Sequence, residues 1–291
     1  MRLLITGADG FTGRHLVAMA RARGDDIVAL QANLTDSEAV QREVADAAPD
    51  WVVHLAAISF VGHADPGAFY QVNVIGTLNL LSALAALAQP PKNILLASSA
   101  NVYGNCACSP ISEEQPPAPV NHYATSKLAM EHMARTYLPK LPLFFVRPFN
   151  YTGPGQDVSF LIPKLVTHFA QGAPTLELGN LEVEREFNDV GFVCDAYFRL
   201  LEKANPGEVY NVCSGQPVTL KKVLALLGQL TAHHPEIKVN PAFVRANEIH
   251  RLCGNPAKLL ATIGTREPVP LQETLREMIE AVSAKPSPIG V

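Results

Sequence analysis

Short, almost continuously apolar runs alternate along this chain with longer stretches whose apolar positions recur every three or four residues. The runs lie at 2–6, 27–30, 51–55, 93–98 and 143–146. That length and character predict strands buried on both faces. Between them, 12–23, 36–47, 67–88 and 122–137 carry the helical period,. Such alternation predicts an α/β fold, a doubly wound parallel sheet with helices on both faces. Asp36, Ser37 and Glu38 supply an N-cap and an acidic first turn for the second helix,. The second strand runs almost straight on to Asn33, so one crossover is expected to be abbreviated.

Beyond Pro148 the pattern loosens. Prolines and glycines punctuate 148–174, and brief strands at 176–178 and 209–211 separate the helices. Two units are expected: 1–150 as the main sheet, and 151–291 mainly as a smaller lobe drawn from 151–179 and 212–269. Within the second unit, 185–211 is expected to return to the main sheet. The tail from Ala284 is expected to fray.

The first strand leads directly into Gly7, Gly10 and Gly13. Glycines at that spacing let the backbone turn tightly, admit a pyrophosphate and bring the next helix close to the strand. The helix offers free N–H groups and the positive end of its dipole to phosphate. Residues 1–150 therefore read as a Rossmann-type dinucleotide-binding domain.

Composition narrows the partners. The 291 residues are 48% hydrophobic and 17% charged, in the range of a globular enzyme,. A net charge of −4 gives no general attraction to nucleic acid or an anionic membrane, so an anionic ligand must be held by local arginines,. The apolar run 80–88 is too short to cross a bilayer. Cys106, Cys108, Cys194, Cys213 and Cys253 are an odd, scattered set that suits reduced thiols in a cytoplasm,. No partner pair or nearby histidine completes a zinc set with Cys106 and Cys108, and no metal is expected.

Four places carry chemistry. Tyr123 and Lys127 stand four apart and share one helix face. An adjacent ammonium and an oxidised nicotinamide favour the phenolate; lowering a phenol by ~3 pKa units amounts to about 4 kcal/mol. Ser99 follows the fourth strand, at the carboxyl end where open α/β sheets bind ligands, and its hydroxyl can bind a ketone oxygen. At the end of the third strand His54 reads as a packed or capping histidine, and the small residues after it let backbone approach a cofactor. Asn73 can steady the active-site backbone. Arg185 and Arg245 can bind a diphosphate bidentately, at roughly 1.5–3 kcal/mol for each charge-assisted bond.

With Arg147, Pro148, Phe149 and Asn150, these motifs stand in the order and spacing of the extended short-chain dehydrogenases, which the chain resembles over essentially its whole length. The resemblance implies that Ser99, Tyr123 and Lys127 form the catalytic set. It implies cofactor contacts from Gly7, Gly10, Phe11, Thr12, Gly13, Asn33, Leu34, Leu55, Ala56, Ala57, Asn73 and Phe149, together with Tyr123 and Lys127. Ser59, Ser99, Asn150, Arg185, Arg245 and Glu248 would face the substrate. Asn33 stands where relatives often carry an aspartate beside the adenine. The implied cofactor is NADP or NAD. No acid closes the second strand at 29–31, where one would repel a 2′-phosphate.

The same resemblance implies a nucleotide-sugar substrate, with a GDP-sugar favoured. Ala100 and Asn101 stand where the family's dehydratases carry acidic residues, so dehydration is not expected. The expected reaction is NAD(P)H-dependent reduction of the C4 ketone of a nucleotide-linked 4-keto-6-deoxy-hexose, here GDP-4-keto-6-deoxy-D-mannose to GDP-D-rhamnose, a precursor of surface polysaccharide. The alternatives are a C4 epimerase that retains its NAD and a non-catalytic dinucleotide sensor. Apolar residues around much of 67–88 and 122–137, among them Ala124, Leu128, Met130 and Met133, predict a homodimer through these helices.

Overall fold

The computed structural model describes residues 1–59, 64–243 and 250–284. Its main sheet has six strands: β1 (Arg2–Thr6), β2 (Asp26–Leu30), β3 (Trp51–His54), β4 (Asn93–Ala97), β5 (Leu143–Pro148) and, at one edge, Val209–Val212. Every pairing is parallel, and the order from that edge is Val209–Val212, β5, β4, β3, β1, β2. The chain thus leaves β1 first to one side and then to the other, which opens a crevice above the carboxyl ends of β1 and β3.

Alternate residues of the strands feed two cores. Leu3 and Ile5 join Leu16 and Ala20 of α1 (Phe11–Ala22) and the helix Val190–Lys203 on one face. Leu4 joins Val40 and Val44 of α2 (Ser37–Ala47), Leu80 and Leu84, and Met130 of the helix His122–Arg135 on the other. The crossover from β2 to β3 is short but carries the whole of α2, whose N-cap is Asp36, accepting from Ala39 N at 3.0 Å.

The run Pro66–Ala85 forms 20 continuous helical residues, with a widened turn at Gln71–Gly76. Its mean hydropathy of 1.3 and its length would suffice to cross a bilayer. Leu80, Leu81 and Leu84 are instead fully buried in the second core.

The lobe has a core of its own. Ile162, Leu165 and Val166, Leu176 and Leu178, Val223 and Leu227, and Leu275 pack together from three helices and a short parallel strand pair. Beneath the cleft, Glu184–Arg185 pairs with Val218–Thr219 and with Arg251–Leu252, each strand two residues long. Part of 212–269 stays with the main sheet: Leu259 and Ile263, on the helix Ala257–Ile263, belong to the first core and pack against Val190–Lys203.

Candidate active site

A cleft of about 910 Å³ opens between the carboxyl ends of the strands and the lobe. On its floor Gly7 adopts φ +70°, and a Cβ there would lie 2.8 Å from Ala56 N. At Gly13 a Cβ would come within 2.1 Å of Gly7 O. Both positions therefore exclude a side chain. Gly10 caps α1 without a side-chain bond, so the first-turn N–H groups stay open to the cleft,. Phe11, Thr12, Leu55, Ala56 and Ala57 line the same space. A cradle that a Cβ would fill, facing a helix N-terminus, suits a dinucleotide pyrophosphate.

A buried hydrogen-bond chain holds this floor. Ala56 N donates to Thr6 Oγ1 at 3.1 Å, and Thr77 Oγ1 donates to Asn73 O at 2.8 Å. Between them His54 Nδ1 accepts from Thr6 Oγ1 at 2.7 Å and Nε2 donates to Thr77 Oγ1 at 2.8 Å, the tautomer that leaves each hydroxyl with one proton to give,. Burial, helped by the Lys127 charge, pushes His54 down to about 3. It is a packed, neutral histidine. Asn73 does not line the cleft. Its side chain accepts from Ile58 N at 2.9 Å and donates to Ser126 Oγ at 3.0 Å, which ties the exit of β3 to the helix of Tyr123.

Asn121 caps that helix, and Tyr123 and Lys127 emerge together into the cleft. Lys127 Nζ donates to Ala97 O, at the end of β4, at 2.7 Å. Burial pulls Lys127 down to about 8 against the opposing charge of Glu131. Burial raises the Tyr123 pKa, and the polar influence of the Ser99 hydroxyl only partly opposes it. The direction is opposite to that expected from the Tyr–Lys spacing, because desolvation disfavours the phenolate more than its partners favour it. Ser99 itself is buried, and its Oγ accepts from Asn101 N at 3.2 Å and Asn101 Nδ2 at 3.1 Å.

Behind these residues lies a charged pair that pattern reading missed. Arg147 Nε donates to Glu131 Oε1 at 2.9 Å and Nη2 to Oε2 at 2.6 Å, with both side chains buried. Ser98 Oγ donates to the same carboxylate at 2.5 Å. The Arg147 guanidinium lies 4.8 Å above the Tyr103 ring, whose hydroxyl donates to Asn211 Oδ1 at 2.7 Å. Glu131 falls four residues after Lys127, so the helical spacing was a usable signal.

On the substrate side, Ser59, Phe149, Asn150 and Arg185 line the cleft, and Arg185 Nη1 donates to Glu184 O at 2.9 Å. Arg245 and Glu248 lie outside the described residues. Asn33 and Leu34 are not among the lining residues: Asn33 Oδ1 accepts from Thr35 N at 3.0 Å, and Leu34 packs in the core against Gly76. Tyr151, Tyr197, Phe160, Phe187 and Phe243 join the lining without having been singled out. Tyr151 bonds Thr12 Oγ1 at 2.7 Å and is pushed up to about 12 by burial. No acidic residue stands at 29–31, as expected, and the acid that reaches this end of the strand from the next helix does not line the cleft. Glu43, from α2, accepts from Gln31 N at 2.8 Å.

Residues 3–213 match the NAD dependent epimerase/dehydratase family. The chain belongs to that family. Enzymes of this kind are NAD(P)-dependent oxidoreductases. The chain is 38% identical to a GDP-6-deoxy-D-talose 4-dehydrogenase of Aggregatibacter actinomycetemcomitans, over 91% of this chain and 92% of that one. It is 37% identical to a GDP-6-deoxy-D-mannose reductase of Pseudomonas aeruginosa, over 96% of each. Among solved structures, RMD from P. aeruginosa complexed with NADPH superposes with a TM-score of 0.90 at 34% identity, over 98% of this chain and 99% of that one.

Proposed function

We propose that this protein reduces the C4 ketone of a GDP-linked 4-keto-6-deoxy-hexose, with GDP-4-keto-6-deoxy-D-mannose giving GDP-D-rhamnose. The observation that carries the reading is the convergence of Ser99, Tyr123 and Lys127 at one point of the cleft beside the glycine cradle. The two curated relatives support the same chemistry. Their names describe alcohols that differ in configuration at C4, and removing hydrogen from C4 of either leaves one and the same ketone.

Gly7, Gly10 and Gly13 would hold NAD(P)H, which when bound would supply the hydride. Tyr123, kept protonated at neutral pH by its raised pKa, donates the proton to the ketone oxygen,. Ser99 donates a hydrogen bond to the same oxygen as it gains charge. Lys127, anchored through Ala97 O, retains two N–H groups and a charge that stabilises the tyrosinate left behind,. Arg185 on the lobe faces the diphosphate. A homodimer through the helices 67–88 and 122–137 rests on Leu128 and Met133, which stay partly exposed, since Ala124 and Met130 are fully buried within the one chain.

The 38% relative favours a second reading, in which hydride reaches the other face and the product is GDP-6-deoxy-D-talose. A panel of GDP-, dTDP- and UDP-4-keto-6-deoxy sugars with NADH and NADPH separates these possibilities. One NAD(P)H is expected per GDP-ketone reduced, with cofactor lost on dialysis, and NMR of the product gives the C4 configuration. Cofactor held through dialysis, with two C4 epimers interconverted and no net NAD(P)H consumed, would falsify the reductase reading.

A further inference from the structure

Ser99 has one proton and two lone pairs, and a single residue occupies both lone pairs. The Asn101 backbone N–H donates to Ser99 Oγ at 3.2 Å, and Asn101 Nδ2 donates to it at 3.1 Å. A hydroxyl oxygen has two acceptor sites, so its own O–H must point away from Asn101. The Tyr123 phenol lines the same cleft as Ser99 and Asn101.

We infer, building on the ketone-reductase reading, that Asn101 is a positioning residue that fixes the Ser99 hydroxyl as a donor aimed at the ketone oxygen shared with Tyr123. The turn that carries it is well anchored. Ser99 caps the turn Ala100–Tyr103, Val102 and Tyr103 are fully buried, and Gly104 closes it at φ +61° where a Cβ would strike Ala118 O. Asn101 itself is half-buried and lines the cleft.

The chemistry at position 101 then selects what the Ser99 proton does. The backbone N–H of residue 101 fills one serine lone pair whatever the side chain, and an amide fills the second and sends the proton outward. A carboxylate of the same shape has acceptors only, so it draws the proton back to itself and leaves the ketone oxygen with one donor fewer.

The test is Asn101→Asp made alone and in a Ser99→Ala background. Turnover of NAD(P)H with a GDP-4-keto-6-deoxy-hexose is expected to fall on the order of a hundredfold in kcat, as for loss of one oxyanion donor, with KM almost unmoved. In the Ser99→Ala background the same substitution is expected to change kcat by less than about twofold, because the two residues act as one unit. Asn101→Ser, which restores a side-chain donor, is expected to recover most of the activity. Equal losses in both backgrounds, or full turnover in Asn101→Asp, overturn the inference.

A second arm needs no substrate. With tyrosine labelled for 13C NMR, Asn101→Asp is expected to raise the Tyr123 pKa further when Ser99 is present than when it is alanine. An equal rise in both overturns the inference. This arm still reports on Asn101 if no keto sugar is turned over, a result that would sink the reductase reading alone.

Discussion

The two walls of the cleft are built differently. The sheet wall consists of backbone turns locked by buried, mutually satisfied polar groups: Thr6, His54, Thr77 and Asn73 under the glycines, and Ser98, Glu131 and Arg147 under the Tyr–Lys pair. The lobe wall consists of side chains carried on short strands, on the first residues of helices and on loops, and beside it Val158, Val239 and Phe243 are at least half exposed, at 59%, 58% and 50%. A group that must meet a transition state has to be held before substrate arrives, whereas a wall that closes over a large ligand gains from adjustable contacts. Local openings of low cost are therefore expected on the lobe side. The walls touch where Tyr151 bonds Thr12 at 2.7 Å and where His15 and Arg14 reach the carbonyls of Pro154 and Gly155, each at 2.8 Å.

The largest effect should come from the rigid wall. Gly13→Ala places a methyl group 2.1 Å from Gly7 O, and neither backbone can move without disturbing the other. Loss of measurable NAD(P)H binding by fluorescence titration is expected. Wild-type affinity in this variant would mean that the cradle is not the phosphate site.

On the adjustable wall the effect should be graded. Arg185→Gln removes a charge-assisted contact contributing roughly 1.5–3 kcal/mol, so KM for the nucleotide sugar should rise about ten- to hundredfold while kcat changes little. A fall in kcat at constant KM would transfer Arg185 to the reacting wall.

Smaller still is the response to pH. With Lys127 at about 8, the ammonium that stabilises the tyrosinate is present below that pH and is lost as pH rises through it. Tyr123, with its raised pKa, remains protonated across the same range. The reductive kcat should be level below about pH 8 and decline above it. A rate that climbs through pH 8 would assign the limb to a different group.

The contrast between the walls also decides what could be read from the sequence. β1 to β5 were legible because parallel strands covered on both faces are short apolar runs, and the glycine turn because its constraints lie within seven residues. Tyr123 and Lys127 were legible for the same local reason. The hydrogen-bond chain through His54 was not, since its partners stand 48 and 23 residues away. Glu43 reaches the end of β2 from the following helix, so inspection of 29–31 could not find it. The lobe was visible only as a change of texture, because residues such as Glu184 and Arg185 acquire a strand through pairing with segments distant in the chain.

The central claim is that the buried Tyr123 phenol on the sheet wall donates the proton. Tyr123→Phe removes one oxygen and leaves the glycine cradle untouched. Stopped-flow turnover and NAD(P)H titration on this variant, side by side with the unaltered protein, test the claim most directly. The account predicts cofactor affinity within about twofold and kcat reduced by at least about a hundredfold, the scale of a positioned general acid. Near-normal kcat with intact cofactor binding would contradict it and place the proton donor elsewhere in the cleft.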